Sequence, residues 1–221
     1  MAAPAFAAGS SGGNSDDSAT ITQTGENLGT ANQHQPGDGD GNVATITQAG
    51  GTQDVATQQQ WRANNGVDFA ITSHETITQS NNFHATASQE DNGDGGDVQQ
   101  STQKTNANVT STQTINEPFG TLNSQTSTQG DGTAGNANVS SSVTQTIGTN
   151  PSSTTQADNH NTQTATQLGQ VGSSISQLIN GGSNDTQNAL EDPGANNHIT
   201  QTSFGSNEQE TATITNGSNN N

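Results

Sequence analysis

The sequence predicts an all-β fold: an amyloid-like β-solenoid with two short strands per rung, about eight rungs, and Gln/Asn ladders inside. Three observations predict it. The chain is too poor in large apolar residues for an ordinary core, a short phrase recurs along it, and that phrase alternates with the period of two that is typical of β-strands. We expect the solenoid over residues 18–216 and a polar tail over residues 217–221.

The composition excludes an ordinary globular core. Only 24% of the 221 residues are hydrophobic, and 20 Asp and Glu against 2 Lys and Arg give a net charge of −18. Burial alone cannot offset the chain entropy of such a sequence, so it is either a disordered acidic polymer or a repeat architecture. The sequence has no Cys, which excludes disulfides and thiolate metal sites. We expect no nucleic-acid partner, because phosphates would repel the chain, and no membrane span, because no apolar run is long enough.

The first 17 residues are expected to lie outside the solenoid. They begin MAAPAFAA, which is similar to the last part of a secretory signal peptide, where small residues precede a cleavage site. A flexible Ala-rich tail is the alternative. Residues 1–17 are therefore predicted to be a signal-peptide remnant or a flexible tail.

A recurring phrase built around Ile-Thr-Gln marks the strands. It reads ATITQTG from Ala19, ATITQAG from Ala44, ETITQSN from Glu75, SVTQTIG from Ser142, HITQTS from His198 and TATITNG from Thr211. Within each phrase alternate residues share a face, and Ile and Thr have high strand propensity. Self-similarity of this kind is typical of stacked units and has no reason to occur in a disordered linker.

The last Gln of each candidate strand predicts a ladder of stacked amides in a thin core. Each amide can donate a hydrogen bond to one neighbouring rung and accept one from the other. The predicted ladder residues are Gln23, Gln33, Gln48, Gln59, Gln79, Gln89, Gln103, Gln113, Gln129, Gln145, Gln156, Gln167, Gln177, Gln187, Gln201 and Gln209. The predicted inward apolar residues are Ile21, Ile46, Ile77, Val109, Val143, Ile175 and Ile199.

No motif predicts catalysis, a cofactor or a metal site, so we expect no enzyme. The five His residues are scattered without the spacing of metal ligands, and a pair formed by His74 and His84 across a turn is a minor alternative. The carboxylates are expected in solvated turns. These turns include an acidic one with Asp91, Asp94 and Asp97. The five His residues mentioned above are His34, His74, His84, His160 and His198.

A calcium loop is the other metal site that we considered. Asp38, Asp40 and Asn42 have the spacing of the first three ligands of such a loop. Val43 stands where the loop requires Gly, and no Glu follows at the twelfth position. Weak calcium bridging therefore stays an alternative to plain charged turns.

The segment QAGGTQDVATQQ resembles the curlin repeat, whose pattern is Gln-x-Gly-x-x-Asn-x-Ala-x-x-x-Gln. Gln48, Gly50 and Gln59 match this pattern, and Gln53 and Val55 stand where it has Asn and Ala. Residues 156–167 have the same spacing, and the resemblance extends over most of the expected solenoid. This chain departs from the pattern in having uneven spacers, almost no basic residues and no Tyr.

The resemblance implies a function. Curlin proteins are secreted subunits of curli, the functional amyloid fibres of bacterial biofilms, and each folds as a β-solenoid that polymerises end to end. A protein similar to them would be an extracellular fibre subunit at the cell surface, acting in biofilm matrix and cell adhesion. Its partners would be further copies of itself, a nucleating minor subunit and a dedicated outer-membrane secretion pore, and no cofactor is implied.

Two other functions stay open. A monomeric solenoid could bind ice or another surface through outward Thr-x-Thr pairs such as Thr20/Thr22 and Thr45/Thr47. The uneven intervals between such pairs count against a regular lattice unless loops absorb the difference. The chain could also be a repeat segment of a larger adhesin.

Overall fold

Two parallel β-sheets, connected strand by strand, form the part of the chain that the structure describes. The structure is a computed structural model, and it describes residues 18–25, 29–34, 42–60, 73–92, 96–116, 122–130, 138–148 and 160–221. The strands are β1 (Ser18–Thr24), β2 (Thr30–His34), β3 (Val43–Ala49), β4 (Val55–Gln60), β5 (His74–Ser80), β6 (Thr86–Asp91), β7 (Val98–Lys104), β8 (Thr110–Ile115), β9 (Ser124–Gln129), β10 (Ser142–Ile147), β11 (Thr162–Gln167), β12 (Gln170–Val171), β13 (Ser174–Ile179), β14 (Thr186–Ala195), β15 (His198–Ser203) and β16 (Gln209–Ser218).

The strands alternate between the sheets, which makes the fold a β-solenoid, as the sequence predicts. The first sheet has the order β1-β3-β5-β7-β9-β11-β14, and β14 also pairs with β12 and β16. The second sheet has the order β15-β13-β10-β8-β6-β4-β2. One strand of each sheet and the turn between them make a rung. The described residues form seven complete rungs, from β1/β2 to β14/β15, followed by β16 alone as an eighth, half-complete rung.

Equivalent residues of the repeated phrase stack on one another in register. Ile21 pairs with Ile46, which pairs with Ile77, and the same holds for the Gln two residues later. Stacked partners are 23 to 38 residues apart in the chain, so the connections between rungs absorb the uneven spacing. Register is strictly specified, because a slip of one residue would turn every inward side chain outward.

The turn between the two strands of a rung needs residues with positive φ. In the second rung these are Gly50 (φ 69°) and Gln53 (φ 58°). In the fifth rung, Gly130 (φ 68°) lies one register position earlier, directly after Gln129, and a Cβ there would clash with the carbonyl oxygen of Lys104. Glycine at that position therefore allows the rungs to approach one another closely.

Side chains at the other corner, between successive rungs, replace missing backbone acceptors. Asn42 Oδ1 accepts from the Ser73 N–H (3.1 Å), and Ser73 Oγ accepts from the Asp97 N–H (3.3 Å). The series continues through Asn123, Asn161 and Asp185 to the Glu208 N–H. Short polar side chains at this corner thus satisfy the backbone where the strand pairing ends.

The burial of the strands alternates, as the period of two predicts. In the inner strands β4, β6, β8, β9 and β11 every second residue is buried, and the residues between them are mostly half-buried. Of the predicted inward apolar residues, Ile46, Ile77, Val109, Val143, Ile175 and Ile199 are buried, and Ile21 is half-buried against the core. No helix in the described ranges has the length and apolar character that a membrane span requires.

Candidate functional site

Three ladders of hydrogen-bonded glutamines run along the inside of the solenoid. The first ladder, in the first sheet, consists of Gln23, Gln48, Gln79, Gln103, Gln129, Gln167 and finally Glu191. The second ladder, in the second sheet, consists of Gln33, Gln58, Gln89, Gln113, Gln145, Gln177 and Gln201. The third ladder, again in the first sheet, consists of Gln99, Gln125, Gln163, Gln187 and finally Glu210.

Each ladder also connects the two sheets. In the second ladder, Gln58 Nε2 donates one hydrogen bond to Gln89 Oε1 (2.8 Å) and another to the backbone carbonyl of Thr45 in the first sheet (3.2 Å). Gln113 does the same with Gln145 Oε1 (2.8 Å) and the Gln100 carbonyl (3.0 Å). Both hydrogens of these two amides are used and their Oε1 atoms accept from Gln33 and Gln89, so Gln58 and Gln113 are satisfied without water.

Most predicted ladder residues lie in these ladders, but two do not. Gln59 lies on the outer face, half-buried, and Gln58 is the buried ladder residue. Gln209 is exposed at the start of β16, and Glu210 is the inward residue. Both errors are slips of one residue, which reverse the face of a strand position. Gln156 lies outside the described residues.

The alternation of the sequence contains a signal for the third ladder. It was missed because the prediction took only the last Gln of each strand. Gln163 and Gln167 are both inward on β11, four residues apart, and each belongs to a different ladder. The prediction assigned Gln187 to the ladder, and it belongs to the third one. Gln99 and Gln125 were not predicted.

All three ladders have the same polarity, which makes the two ends of the solenoid different. Each Nε2 donates toward the next rung, so at the amino end Gln23 Oε1 and Gln33 Oε1 have no hydrogen-bond partner. At the carboxyl end the first and third ladders finish on the carboxylates of Glu191 and Glu210, whereas the second finishes on the amide of Gln201.

The strands at the two ends are also open edges within the described part of the chain. There β1 pairs with β3 alone, β2 with β4 alone, and β16 with β14 alone. Ala19 is exposed although its partner Ala44 is 1% exposed, because no described strand covers β1. At the other end Ala212 and Ile214 face inward on β16 and are half-buried.

Several carboxylates are buried, which corrects the prediction that they lie in solvated turns. Asp91 and Asp97 of the predicted acidic turn are only 3% and 1% exposed, and Asp97 Oδ1 accepts from the Asn123 N–H (2.7 Å). Glu75 and Glu191 stand at inward strand positions where other rungs have Gln. Asp97 and Asp185 stand at the corner between rungs where other rungs have Asn or Ser. Asp94, Asp38 and Asp40 lie outside the described residues.

Burial raises the pKa of two of the inward carboxyl groups. The pKa of Glu75 is raised well above its ordinary value, first by burial and then by the negative charges of Asp91 and Glu90. Burial raises the pKa of Glu191 to about 7, although the hydrogen bond from Gln167 acts in the opposite direction.

The histidines do not assemble into a site. His74, His84, His160 and His198 are exposed, and His34 is half-buried. His84 stacks on Phe83 in a turn and contacts Gln53 Oε1, whereas His74 begins β5. In the described ranges no three His, Cys, Asp or Glu residues are grouped so that they could hold a metal ion.

The outer face of the first sheet carries two columns of Thr in register. The first column contains Thr20, Thr45, Thr76, Thr126, Thr164 and Thr211. The second contains Thr22, Thr47, Thr78, Thr102, Thr128, Thr166 and Thr213. The connections between rungs absorb the uneven intervals, so these intervals do not count against a regular array. Only Gln100, Asn188 and Leu190 interrupt the columns.

No family model, curated protein or solved structure matches this chain. The resemblance to the curlin repeat therefore rests on the quoted sequence segments alone.

Proposed function

We propose that this chain is a secreted structural protein that assembles end to end into curli-like amyloid fibres, which serve biofilm matrix and cell adhesion. The observation that carries the proposal is the pair of open ends on an in-register parallel solenoid. Unpaired strand edges favour the addition of another strand. The second ladder ends on the Gln201 amide, which is a suitable donor for the unpaired acceptor Gln33 Oε1 of a second copy.

The wider biological context rests on the resemblance to curlin proteins. It supports an extracellular fibre at the cell surface, a nucleating minor subunit and an outer-membrane secretion pore as partners. It also supports a structural rather than an enzymatic role.

Ala19 offers a sharp test of end-to-end assembly. It is exposed in the single chain but would be buried by a rung stacked on β1. We expect Ala19→Glu to fold with an unchanged circular-dichroism spectrum and melting temperature, and to form no filaments by electron microscopy, because stacking would bury the new carboxylate in the column that ends on Glu210 of the next copy.

Thr20→Glu is the matched control. Thr20 is the next residue of β1, is also exposed, and belongs to the outer column that stacking leaves in solvent. This variant should form filaments as the unmodified chain does. Filaments in both variants, or in neither, would contradict assembly through the β1 edge.

The Thr columns favour a monomeric ice- or surface-binding solenoid as a second candidate. Their hydroxyls repeat at about 4.8 Å between rungs and at about 6.7 Å along each strand, which is a regular two-dimensional array. This candidate predicts thermal hysteresis in solutions of the monomer. Thr102→Tyr should abolish the hysteresis, whereas Thr112→Tyr, on the outer face of the second sheet, should preserve it. Monomers without hysteresis would leave the repeat segment of a larger adhesin as the better explanation.

A further inference from the structure

Glu75 lies at the position where the third ladder would need another glutamine. Glu75 on β5 pairs in register with Gln99 on β7, both face inward, and each is 1% exposed. Gln99 begins the ladder, and its Nε2 donates to Gln125 Oε1 (2.9 Å) and to the Glu90 carbonyl (3.1 Å). Since the ladder points away from the amino end, Gln99 Oε1 faces the rung that holds Glu75.

This contact brings together acceptors without a donor. Gln99 Oε1 is buried and has no hydrogen-bond partner, and the same is true of both carboxyl oxygens of Glu75. An ionised Glu75 would leave a buried charge and three unsatisfied oxygens, and each of these is costly in an interior without water.

The groups that face Glu75 supply negative charge or none. β6, in the opposite sheet, contributes Asp91 and Glu90. The neighbours of Glu75 in its own column are Ala44 on β3 and Gln99 on β7, which are uncharged. On β4, the register partner of Asp91 is Gln60, a neutral amide.

We propose that Glu75 keeps its proton at neutral pH and donates a hydrogen bond to Gln99 Oε1, so that a carboxylic acid begins the third ladder. One proton removes the buried charge and gives Gln99 Oε1 its missing donor. The raised pKa of Glu75, caused first by burial and then by Asp91 and Glu90, has the direction that this arrangement requires.

A proton suits this position better than a metal ion. Calcium takes six to eight oxygen ligands, whereas Glu75 and Gln99 together provide about three free oxygens. Stacked rungs are separated by only about 4.8 Å, and this distance suits a direct O–H···O hydrogen bond between side chains.

The proton makes the stability of the third rung depend on pH. Because the pKa in the folded state is above that in the unfolded state, the contribution is fully present below the ordinary pKa of Glu. It is lost as the pH rises through the raised value. Alkaline pH should therefore weaken the solenoid between the second and fourth rungs.

Glu75→Gln tests the proposal, because an amide donates to Gln99 Oε1 at every pH. Urea unfolding of the full chain should be followed between about pH 5 and about pH 9. The variants should be made in a Glu191→Gln background, since the pKa of Glu191 is also raised, to about 7. We expect the midpoint of the parent to fall with pH and that of Glu75→Gln to stay constant. Thr76→Gln, on the outer face of the same strand, should behave as the parent does.

Infrared spectroscopy observes the proton directly. We expect a protonated-carboxyl band at neutral pH in the parent and its loss in Glu75→Gln. Absence of that band from the parent, or an equal fall of the midpoint in both proteins, would overturn the proposal. A rise of the midpoint with micromolar calcium that Glu75→Gln abolishes would also overturn it and indicate a cation instead.

Discussion

The first three rungs and the later rungs form one continuous solenoid, yet they place their large aliphatic side chain differently. In β1, β3 and β5 an isoleucine occupies the middle of the first-sheet strand. From β8 onward, an isoleucine occupies the last inward position of three successive second-sheet strands. The two sets are Ile21, Ile46 and Ile77 in the first group, and Ile115, Ile147 and Ile179 in the second. In the fourth and fifth rungs, Ser101 and Ser127 occupy the first-sheet position that holds isoleucine in the first three rungs.

The first two glutamine ladders continue unchanged across this boundary, where the third ladder begins. Gln79 donates to Gln103 and Gln89 donates to Gln113 at 2.8 and 2.7 Å, the same range as elsewhere in the ladders. The register therefore follows the amides and the backbone, whereas the positions of the apolar side chains change from rung to rung. The boundary is also where the unpaired oxygens of Glu75 and the unpaired Ser101 Oγ lie, so the core is least well satisfied there.

The largest effect is expected from placing a charge in a ladder. Gln48→Lys, in the first group of rungs, and Gln129→Lys, in the second, should each destabilise the fold by at least about 3 kcal/mol, because the ladder neighbours of both residues are neutral glutamines and a buried ammonium has no counter-ion among them. Urea denaturation would measure this loss. Thr164→Lys, on the outer face of β11, is the control and should change stability by less than about 0.5 kcal/mol. Equal losses in all three variants would contradict the assignment of inside and outside.

A smaller effect is expected from removing the isoleucine of either group. Ile77 and Ile147 are both fully buried, so Ile77→Ala and Ile147→Ala should each cost about 2–5 kcal/mol in the free energy of unfolding. We expect similar costs, because each residue is 0% exposed and packs in a cluster of buried aliphatic side chains from neighbouring rungs. A cost confined to one group would mean that the other group is held by its amides alone.

The smallest expected effect is a difference in stability between variants of Ser101 and Ser127, which are paired in register in the first sheet. Ser127 Oγ accepts from Ser111 Oγ (2.9 Å), so Ser127→Ala should cost about 1 kcal/mol by leaving Ser111 without its acceptor. Ser101 Oγ is buried without a partner, so Ser101→Ala should be neutral or stabilising. Thermal melts of the two variants would measure the difference. The reverse order would contradict the hydrogen-bond pattern at the boundary.

Much of the fold was predictable because alternation and recurrence are properties of single strands. The phrase that contains Ile46 and Gln48 defines its inward face by itself. Positions after a turn were not predictable in the same way, since the number of turn residues decides whether Gln58 or Gln59 faces inward. The alternation that places Ile77 and Gln79 inward does the same for Glu75, but its contact with Gln99 depends on a loop length that carries no periodicity.

The axial rise of the fibre tests the account most directly. The described residues of each chain contribute eight stacked strands to the first sheet, so end-to-end assembly predicts filaments with a rise of about 38 Å per subunit, at about 4.8 Å per strand. Cryo-electron microscopy of filaments grown from the purified chain would measure it. A rise of about 38 Å with strands perpendicular to the fibre axis is the predicted result. A rise of about 4.8 Å per subunit, in which each chain forms one flat layer, would contradict end-to-end stacking of solenoids.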